Sequence, residues 1–228
     1  MKKILLSAGL LCLSFGAFAQ LEIGLKVTPN MAWHRVETTN DVELDADGSR
    51  AHLSGGIVAD YFFSENYAFS TGLLLSTKGG KLKYPTVTLT GTSTKTSDVM
   101  VQYVELPITL KLFTNEIAPD ARVYFQVGGA AGVLVAARID DEKNVKANPA
   151  DPNSSEEKVS KSFNTLELSG LLGAGVEYQL GQSTKVFAGL HYQHGLTNIE
   201  DNKFLGADLK DDLTMKNSVI GIDLGLKF

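Results

Sequence analysis

Apolar and polar side chains alternate along much of the chain after residue 20. The pattern is clearest at the end, where every second residue from Ile220 to Phe228 is apolar and the residues between are Gly, Asp, Gly and Lys. A β-strand places successive side chains on opposite faces. One face of this strand therefore suits lipid and the other suits a polar interior, whereas a soluble barrel requires the reverse arrangement.

Eight segments carry this alternation, and they predict an all-β fold: an eight-stranded antiparallel up-and-down transmembrane β-barrel. Their approximate bounds are 21–33, 50–63, 67–83, 98–113, 122–138, 163–180, 185–196 and 217–228. The short connections are 64–66, 114–121 and 181–184. The long polar connections are 34–49, 84–97, 139–162 and 197–216. Short turns on one side and long loops on the other are typical of such barrels, and an even strand count predicts that both termini are periplasmic.

Residues 1–19 are interpreted as a cleaved secretory signal peptide, and residues 20–228 as the barrel domain. Lys2 and Lys3 precede a short apolar stretch, and 17–19 (AFA) has the small-x-small form of a cleavage site. The only cysteine, Cys12, lies in this segment, so we expect no disulfide in the mature chain. Cleavage leaves 19 basic against 26 acidic side chains, a net charge of −7, which argues against a nucleic-acid partner.

Aromatic residues near the predicted strand ends indicate two interfacial girdles. The inner girdle, beside the short turns, is predicted to contain Tyr61, Phe62, Phe63, Tyr67, Phe69, Phe113, Tyr124, Phe125, Tyr178, Phe187 and Phe228. The outer girdle is predicted to contain Trp33, Tyr84, Tyr103, Phe163 and Tyr192. Both girdles are hypotheses based on position along the chain.

Charged residues occupy the face opposite the apolar one. They are Glu22, Lys26, Asp60, Glu105, Lys111, Arg122, Glu167, Glu177, Lys185, Asp223 and Lys227. Eight strands enclose a lumen that side chains can fill, and an unpaired buried charge is costly, so we expect a packed network of opposite charges. A narrow ion pore is the alternative. Pro107 cannot donate a ladder hydrogen bond, and a bulge is predicted there.

The sequence assigns no catalytic, cofactor-binding or metal-binding residue. Two histidines are candidates for hydrolase chemistry: alternation directs His191 to the lumen and His194 to the lipid. A hydrolase requires a nucleophilic serine and an orienting carboxylate beside the histidine. Ser218 is a possible neighbour of His194, but it is assigned to the lumen side of the last strand or to a loop. We therefore expect no enzymatic activity.

Two acidic segments are candidate cation sites. Residues 43–48 match the first half of an EF-hand loop, but its twelfth position is Ser54 instead of Glu. Asp208, Asp211 and Asp212 form a second cluster. Both are interpreted as solvated loop charges, and divalent-ion bridging to lipopolysaccharide phosphate is the alternative.

Several stretches resemble one family. Residues 24–30 (GLKVTPN) are similar to the opening strand of the PorT-like outer-membrane β-barrel family of Bacteroidetes, and 103–111 (YVELPITLK) resembles its Tyr-x-Glu-(Ile/Leu)-Pro strand. Residues 173–178, 192–199 and the final strand also fit. The resemblance implies an outer-membrane barrel, and one type of member assists a protein-secretion system. The aromatic Phe228 resembles the terminal signal that the outer-membrane assembly machinery recognises.

We therefore expect a non-enzymatic scaffold or surface protein of the outer membrane, without a cofactor, in contact with lipid, lipopolysaccharide and an envelope protein. The 139–162 connection is the candidate contact segment. Its charged residues are Asp140, Asp141, Glu142, Lys143, Lys146, Glu156, Glu157 and Lys158. The alternatives are an accessory of a secretion or envelope-assembly system, a narrow channel, a lipid-modifying enzyme and a soluble periplasmic barrel.

Overall fold

Eight long strands close into one antiparallel barrel in the computed structural model, which confirms the predicted fold class. The structure describes residues 21–38, 45–88, 91–146, 156–201 and 213–228, so the predicted signal peptide lies outside it. The barrel strands are β1 (Leu21–Thr38), β2 (Asp45–Ser64), β3 (Tyr67–Thr88), β4 (Gly91–Phe113), β5 (Ala121–Ile139), β8 (Leu166–Gln179), β9 (Lys185–Gly195) and β10 (Leu213–Lys227). A hairpin of β6 (Asn144–Lys146) and β7 (Glu156–Lys158) and a 3₁₀ helix (Val159–Ser162) lie between β5 and β8.

The ring order is β1-β10-β9-β8-β5-β4-β3-β2, so each barrel strand pairs with a neighbour on both sides. Closure matters in lipid because an open sheet edge would leave backbone N–H and C=O groups without partners. No helix in the described part of the chain is long and apolar enough to cross a membrane.

The outward face of the barrel is a band of exposed apolar side chains. In β1 and β10 these are Leu21, Ile23, Leu25, Val27, Met31, Ile220, Ile222, Leu224 and Leu226. Side chains of opposite parity in the same strands are buried or partly buried. So large an exposed apolar surface fits lipid and not water, and the prediction that the apolar face of the strands points outward is confirmed.

The barrel has two unlike rims. The turn rim carries the short connections 65–66, 114–120 and 180–184, together with the start of β1 and the end of β10. At the opposite rim, called here the hairpin rim, most strands run further than predicted, although β8 begins at Leu166 instead of 163. β3 and β4 pair as far as Thr88 and Gly91, where 84–97 was expected to be a loop. This segment is rich in Thr, which favours strands, but it lacks the apolar alternation that identifies a strand with one buried face.

The predicted bulge at Pro107 is wrong. Pairing between β3 and β4 is interrupted around Pro107 but resumes with the same offset at Leu74↔Glu105. The Thr71 hydroxyl donates a hydrogen bond of 2.9 Å to the Pro107 carbonyl. In β4 the register shift lies instead on the β5 side, between Gln102 and Tyr103.

The predicted girdles mix two populations of aromatic residues. Six rings of the inner girdle are exposed and can lie at the membrane interface: Tyr61, Phe63, Tyr67, Phe69, Phe125 and Tyr178. Phe228 is exposed as well. Six predicted girdle residues are instead buried inside the barrel: Phe62, Phe113, Tyr124, Phe187, Tyr103 and Phe163. Position near a strand end does not determine the face, whereas alternation within the strand does. The side chain of Tyr84 lies outside the described part.

Candidate functional site

The charged side chains predicted for the lumen lie there and form clusters at three depths. The basal cluster, near the turn rim, is centred on Lys227, whose Nζ lies 2.6 Å from Asp60 Oδ2 and also contacts Glu177. The Nζ of Lys111 donates to both Asp60 oxygens, at 3.1 and 2.9 Å. The cluster is completed by Glu22, Arg122 and Lys185. Opposite charges from β1, β2, β4, β5, β8, β9 and β10 therefore neutralise one another inside the barrel.

Four buried aromatic rings surround the basal cluster: Phe62, Phe113, Tyr124 and Phe187. The Lys227 Nζ lies 5.6 Å from the centroids of both Phe113 and Phe187, and the Lys111 Nζ lies 5.2 Å from that of Tyr124. Contacts between a cation and an aromatic face at these distances are attractive. Ion pairs and rings together close the lumen at this depth.

The middle cluster is built around Asp223. Its Oδ1 accepts a hydrogen bond of 2.7 Å from the Thr28 hydroxyl and lies 3.0 Å from His191 Nδ1 and 3.3 Å from Lys26 Nζ. A cavity of about 20 Å³ beside Asp223 is lined by Lys26, Lys111 and other inward side chains. That volume suits about one water molecule.

The upper cluster lies toward the hairpin rim and is centred on Lys78. Its Nζ lies 2.5 Å from Glu105 Oε1 and 3.1 Å from Glu167 Oε2. Gln193 donates to Glu105 at 3.2 Å, and Asn217 donates to Glu167 at 3.0 Å. Each carboxylate is thus held by the shared ammonium group and by one amide, which satisfies groups that would be costly to bury alone.

An apolar lid covers the upper cluster at the hairpin rim. Its buried members are Leu82, Val99, Val101, Tyr103, Ala137, Ile139, Val159, Phe163, Ile199, Leu213 and Met215. Val159 and Phe163 belong to the segment between β7 and β8, which folds into the mouth of the barrel. The lumen is therefore closed at two depths, by rings near the turn rim and by the lid at the other end.

Glycines on the inward face make room for the large lumen side chains. A Cβ added at Gly175 or Gly189 would overlap the Tyr124 hydroxyl, and one at Gly225 would overlap the Phe187 ring. At Gly170, on the outward face of β8, nothing lies within 4 Å of an added Cβ. The inward glycines thus allow the lumen side chains to pack closely against the barrel wall.

Sequence reasoning omitted Lys78 from the lumen list, although it is the centre of the upper cluster. The signal was present, because alternation through the buried Ser70, Leu74 and Ser76 places Lys78 on the same inward face. Gln193 and Asn217 were omitted too, and alternation in β9 and β10 identifies their face in the same way.

The two histidines lie on the predicted faces: His191 points inward to Asp223, and His194 points outward. The expectation for Ser218 is wrong, because it lies in β10 on the outward face, directly opposite His194. Its hydroxyl accepts a hydrogen bond from Arg35 Nε at 2.9 Å, and His194 Nδ1 lies 2.8 Å from the Tyr192 hydroxyl. Among the described contacts of His194 and Ser218 no carboxylate is present, so the pair lacks the orienting group of a triad.

The acidic segments are placed only in part. Asp45 and Asp47 belong to β2 instead of a loop, and Asp47 accepts a hydrogen bond of 3.0 Å from the Thr96 hydroxyl. Glu43 and the cluster of Asp208, Asp211 and Asp212 lie outside the described residues.

In the candidate contact segment, Asp140 ties the end of β5 to β4. It accepts from Ser97 Oγ and the Asp98 amide, both at 2.9 Å, and it pairs with Lys95 at 3.2 Å. Partial burial acts to raise the pKa of the Asp140 carboxyl, but these donors outweigh it and hold that pKa below its ordinary value. Asp141, Glu142 and Lys143 are exposed. So are Glu156, Glu157 and Lys158 in β7, whereas the side chain of Lys146 lies outside the described part.

A closed eight-stranded barrel with an apolar outer band and a charged, packed interior defines an outer-membrane β-barrel. The chain belongs to the outer membrane protein beta-barrel domain family, whose model matches residues 18–201.

Solved structures of outer-membrane proteins are similar to this chain at low sequence identity, and the first of them shares its fold. Neisserial surface protein A is 11% identical, with a TM-score of 0.50, and the match covers 92% of this chain and 97% of that chain. OprG from Pseudomonas aeruginosa is 12% identical, with a TM-score of 0.44 and coverage of 90% and 95%. The outer membrane protease OmpT from Escherichia coli is 11% identical, with a TM-score of 0.43 and coverage of 92% and 96%. No curated protein sequence matches the chain.

Proposed function

We propose that this protein is a non-enzymatic, non-conducting scaffold of the outer membrane that presents its hairpin rim to the cell exterior. The observation that carries the proposal is the double closure of the lumen, by the basal cluster with its rings and by the apolar lid. A channel needs a continuous polar path, whereas the cavity beside Asp223 has room for about one water. The wall then acts as a rigid frame for the rim segments.

Conductance of the pure protein in a planar lipid bilayer tests this proposal. We expect no unitary current from protein whose barrel is shown to be folded by its resistance to unfolding in detergent before boiling. Reproducible unitary steps that survive further purification would contradict the proposal and favour the narrow channel.

The absence of enzymatic activity is proposed on the geometry at His194. The only serine opposite it is bonded to Arg35, and the described contacts include no orienting carboxylate. The lipid A mass spectrum of a deletion strain should therefore equal that of the parent strain. An acyl chain that is absent from the parent but present in the deletion strain would contradict this, and so would an added group that is present only in the parent.

The orientation is proposed from the unlike rims, because outer-membrane barrels have short periplasmic turns and longer external connections. Single cysteines at Glu142 and at Asn115 test it, with the wild type as the unlabelled control. An impermeant thiol reagent should label the Glu142 variant in intact cells and the Asn115 variant only after the envelope is opened. The reverse labelling pattern would mean that the hairpin rim faces the periplasm.

The PorT-like resemblance supports a second candidate, an accessory of a secretion or envelope-assembly system. In the YVELPITLK strand, the residues Tyr103, Glu105 and Lys111 face the lumen, so the motif specifies interior packing and not a partner surface. Crosslinking in the envelope followed by purification tests this role. One stoichiometric envelope partner would favour it, and lipid alone would favour the scaffold.

A further inference from the structure

A group of basic and aromatic side chains lies on the outward face at the hairpin rim, above the apolar band. Its members are Trp33 and Arg35 of β1, Tyr192 and His194 of β9, and Lys216 of β10. We call this group the rim site. None of these residues takes part in the lumen clusters.

Two cations of the rim site stand directly opposite each other. Arg35 and Lys216 are register partners across the β1–β10 pair, and both are partly exposed on the outward face. Like charges at directly opposed positions destabilise a strand pair. Within the described residues neither side chain makes an ion pair; the nearest acid along β1, Glu37, is exposed. An anion from outside the protein would neutralise the pair.

Arg35 is held in place before any ligand arrives. Its Nε donates to Ser218 Oγ at 2.9 Å, and its Nη2 donates to the Gly195 carbonyl at 2.5 Å. The guanidinium has five N–H donors, so three remain for a ligand. A planar guanidinium with a fixed position and free donors suits the oxygens of a phosphate group.

Aromatic rings border these cations. Trp33 and Tyr192 stack with centroids 6.4 Å apart and planes inclined by 24°, and the Tyr192 hydroxyl is hydrogen-bonded to His194. Trp and Tyr in this position are typical of the interface between lipid tails and headgroups.

A shallow apolar groove of about 550 Å³ begins at Tyr192 and runs along the lipid-facing wall. Its apolar lining is Leu112, Phe125, Val127, Leu172, Leu190 and Ile220. The volume lies within the range of about 300–1,000 Å³ that is usual for small-molecule sites. Tyr192 belongs to both features, so a ligand with a charged head and an apolar tail can occupy the rim site and the groove together.

The depth of the rim site matches a lipid headgroup. Leu21 and Met31, the ends of the exposed apolar series in β1, are ten residues apart. This is about 33 Å along a strand and about 25 Å across the membrane at a tilt of about 40°, which equals the usual apolar band of such barrels. Trp33 and Arg35 follow on the same face and therefore lie at the interface.

We infer that the rim site binds a phosphate group of an acylated glycolipid in the outer leaflet, with an acyl chain in the groove. The free donors of Arg35 and the ammonium of Lys216 contact the phosphate, the Trp33–Tyr192 pair lies against the sugar, and His194 supplies one further polar contact. This inference rests on the proposed orientation, which places the hairpin rim in the outer leaflet.

The chain carries its own reporter, because Trp33 is the only tryptophan. The full-length mature protein would be placed in nanodiscs of neutral phosphatidylcholine, and Trp33 emission would be recorded during titration with phosphorylated lipid A. The comparison ligands are dephosphorylated lipid A, phosphatidylglycerol and a glucosamine phosphate without acyl chains. The variants are Lys216→Gln, Arg35→Gln with Lys216→Gln, and the matched control Lys83→Gln, which removes an exposed lysine of β3.

We expect phosphorylated lipid A to bind the wild type and Lys83→Gln alike, and the double variant at least about tenfold more weakly, a loss of about 1.4 kcal/mol. Each comparison ligand should bind at least about tenfold more weakly than phosphorylated lipid A. Equal binding of dephosphorylated lipid A, or full affinity in the double variant, would overturn the phosphate site. Equal binding of phosphatidylglycerol would overturn the assignment to the glycolipid, and equal binding of the acyl-free phosphate would overturn the role of the groove.

Lys216→Gln provides a second test if the double variant fails to fold. The Lys216 side chain makes no ion pair or hydrogen bond within the described residues, so this substitution should not disturb folding. This single variant should weaken binding in the same direction. An absence of lipid A binding in nanodiscs would leave the scaffold proposal intact, since that proposal is tested by the conductance of the protein in a planar bilayer. An inverted orientation is detected separately by the cysteine labelling at Glu142 and Asn115.

Discussion

Replacement of Lys78 by Met is the sharpest test of the packed lumen. The Lys78 side chain is 1% exposed and shared by two carboxylates, Glu105 and Glu167, which are 5% and 1% exposed. The substitution keeps most of the side-chain volume but removes the ammonium group, and it leaves two buried carboxylates without a cation. Loss of one partner from a buried ion pair costs about 3–5 kcal/mol, and we expect the free energy of unfolding to fall by that amount.

The assay is urea unfolding of the refolded protein in lipid vesicles, followed by Trp33 emission and by the gel mobility of unboiled samples. The control is Lys83→Met, which removes an exposed charge from the same strand and should change stability by less than about 0.5 kcal/mol. A triple variant with Lys78→Met, Glu105→Gln and Glu167→Gln should recover most of the loss, because no buried charge then remains in the cluster. A Lys78→Met variant as stable as its control, or a triple variant no better than the single one, would refute the reasoning.

Three further predictions address the packing, the loop anchor and the outer face. Gly175→Val should lower the free energy of unfolding by about 1–3 kcal/mol through overlap with Tyr124, while the matched Gly170→Val, which meets open space, should not; equal urea midpoints for the two would contradict the account. Because the pKa of Asp140 is lowered in the folded state, its stabilising contribution is complete above the unfolded value of about 3.9 and is lost as pH falls through the folded pKa. Amide protection factors at the β4–β5 end, taken relative to the intrinsic exchange rate at each pH, should therefore fall on acidification in the wild type, and should be low and independent of pH over that window in Asp140→Asn. Leu73→Arg places a charge midway along the exposed apolar face of β3 and should cost about 2–4 kcal/mol in vesicles; an unchanged stability would indicate that this face does not contact lipid.

The number of strands and the face of most side chains could be predicted from sequence, because each strand has one lipid face and one polar face. The C-terminal strand shows this clearly, since alternation from Ile220 to Phe228 gives the correct face at every position. Counting back two residues from Ile220 also gives the correct outward face for Ser218. That assignment failed because the alternation was not carried from Ile220 back to Ser218, although the predicted strand begins at residue 217.

Other features depend on contacts that local periodicity does not encode. The pairing of Arg35 with Lys216 requires the register of β1 against β10, and the position of Ser218 opposite His194 requires that of β10 against β9. The insertion of Phe163 into the lid is a long-range packing event. The extension of β3 and β4 beyond Lys83 is invisible to a hydrophobic pattern, because there is no lipid at that height to select apolar side chains.

Heat-modifiability of the protein in purified outer membranes shows directly whether the chain forms a closed barrel in that membrane. Boiled and unboiled samples are compared by gel electrophoresis after fractionation of the envelope. We expect the protein in the outer-membrane fraction, and we expect the unboiled sample to migrate at a different mobility from the boiled one, because a closed barrel resists detergent until it is heated. Recovery from the soluble periplasmic fraction with identical mobility before and after boiling would contradict it.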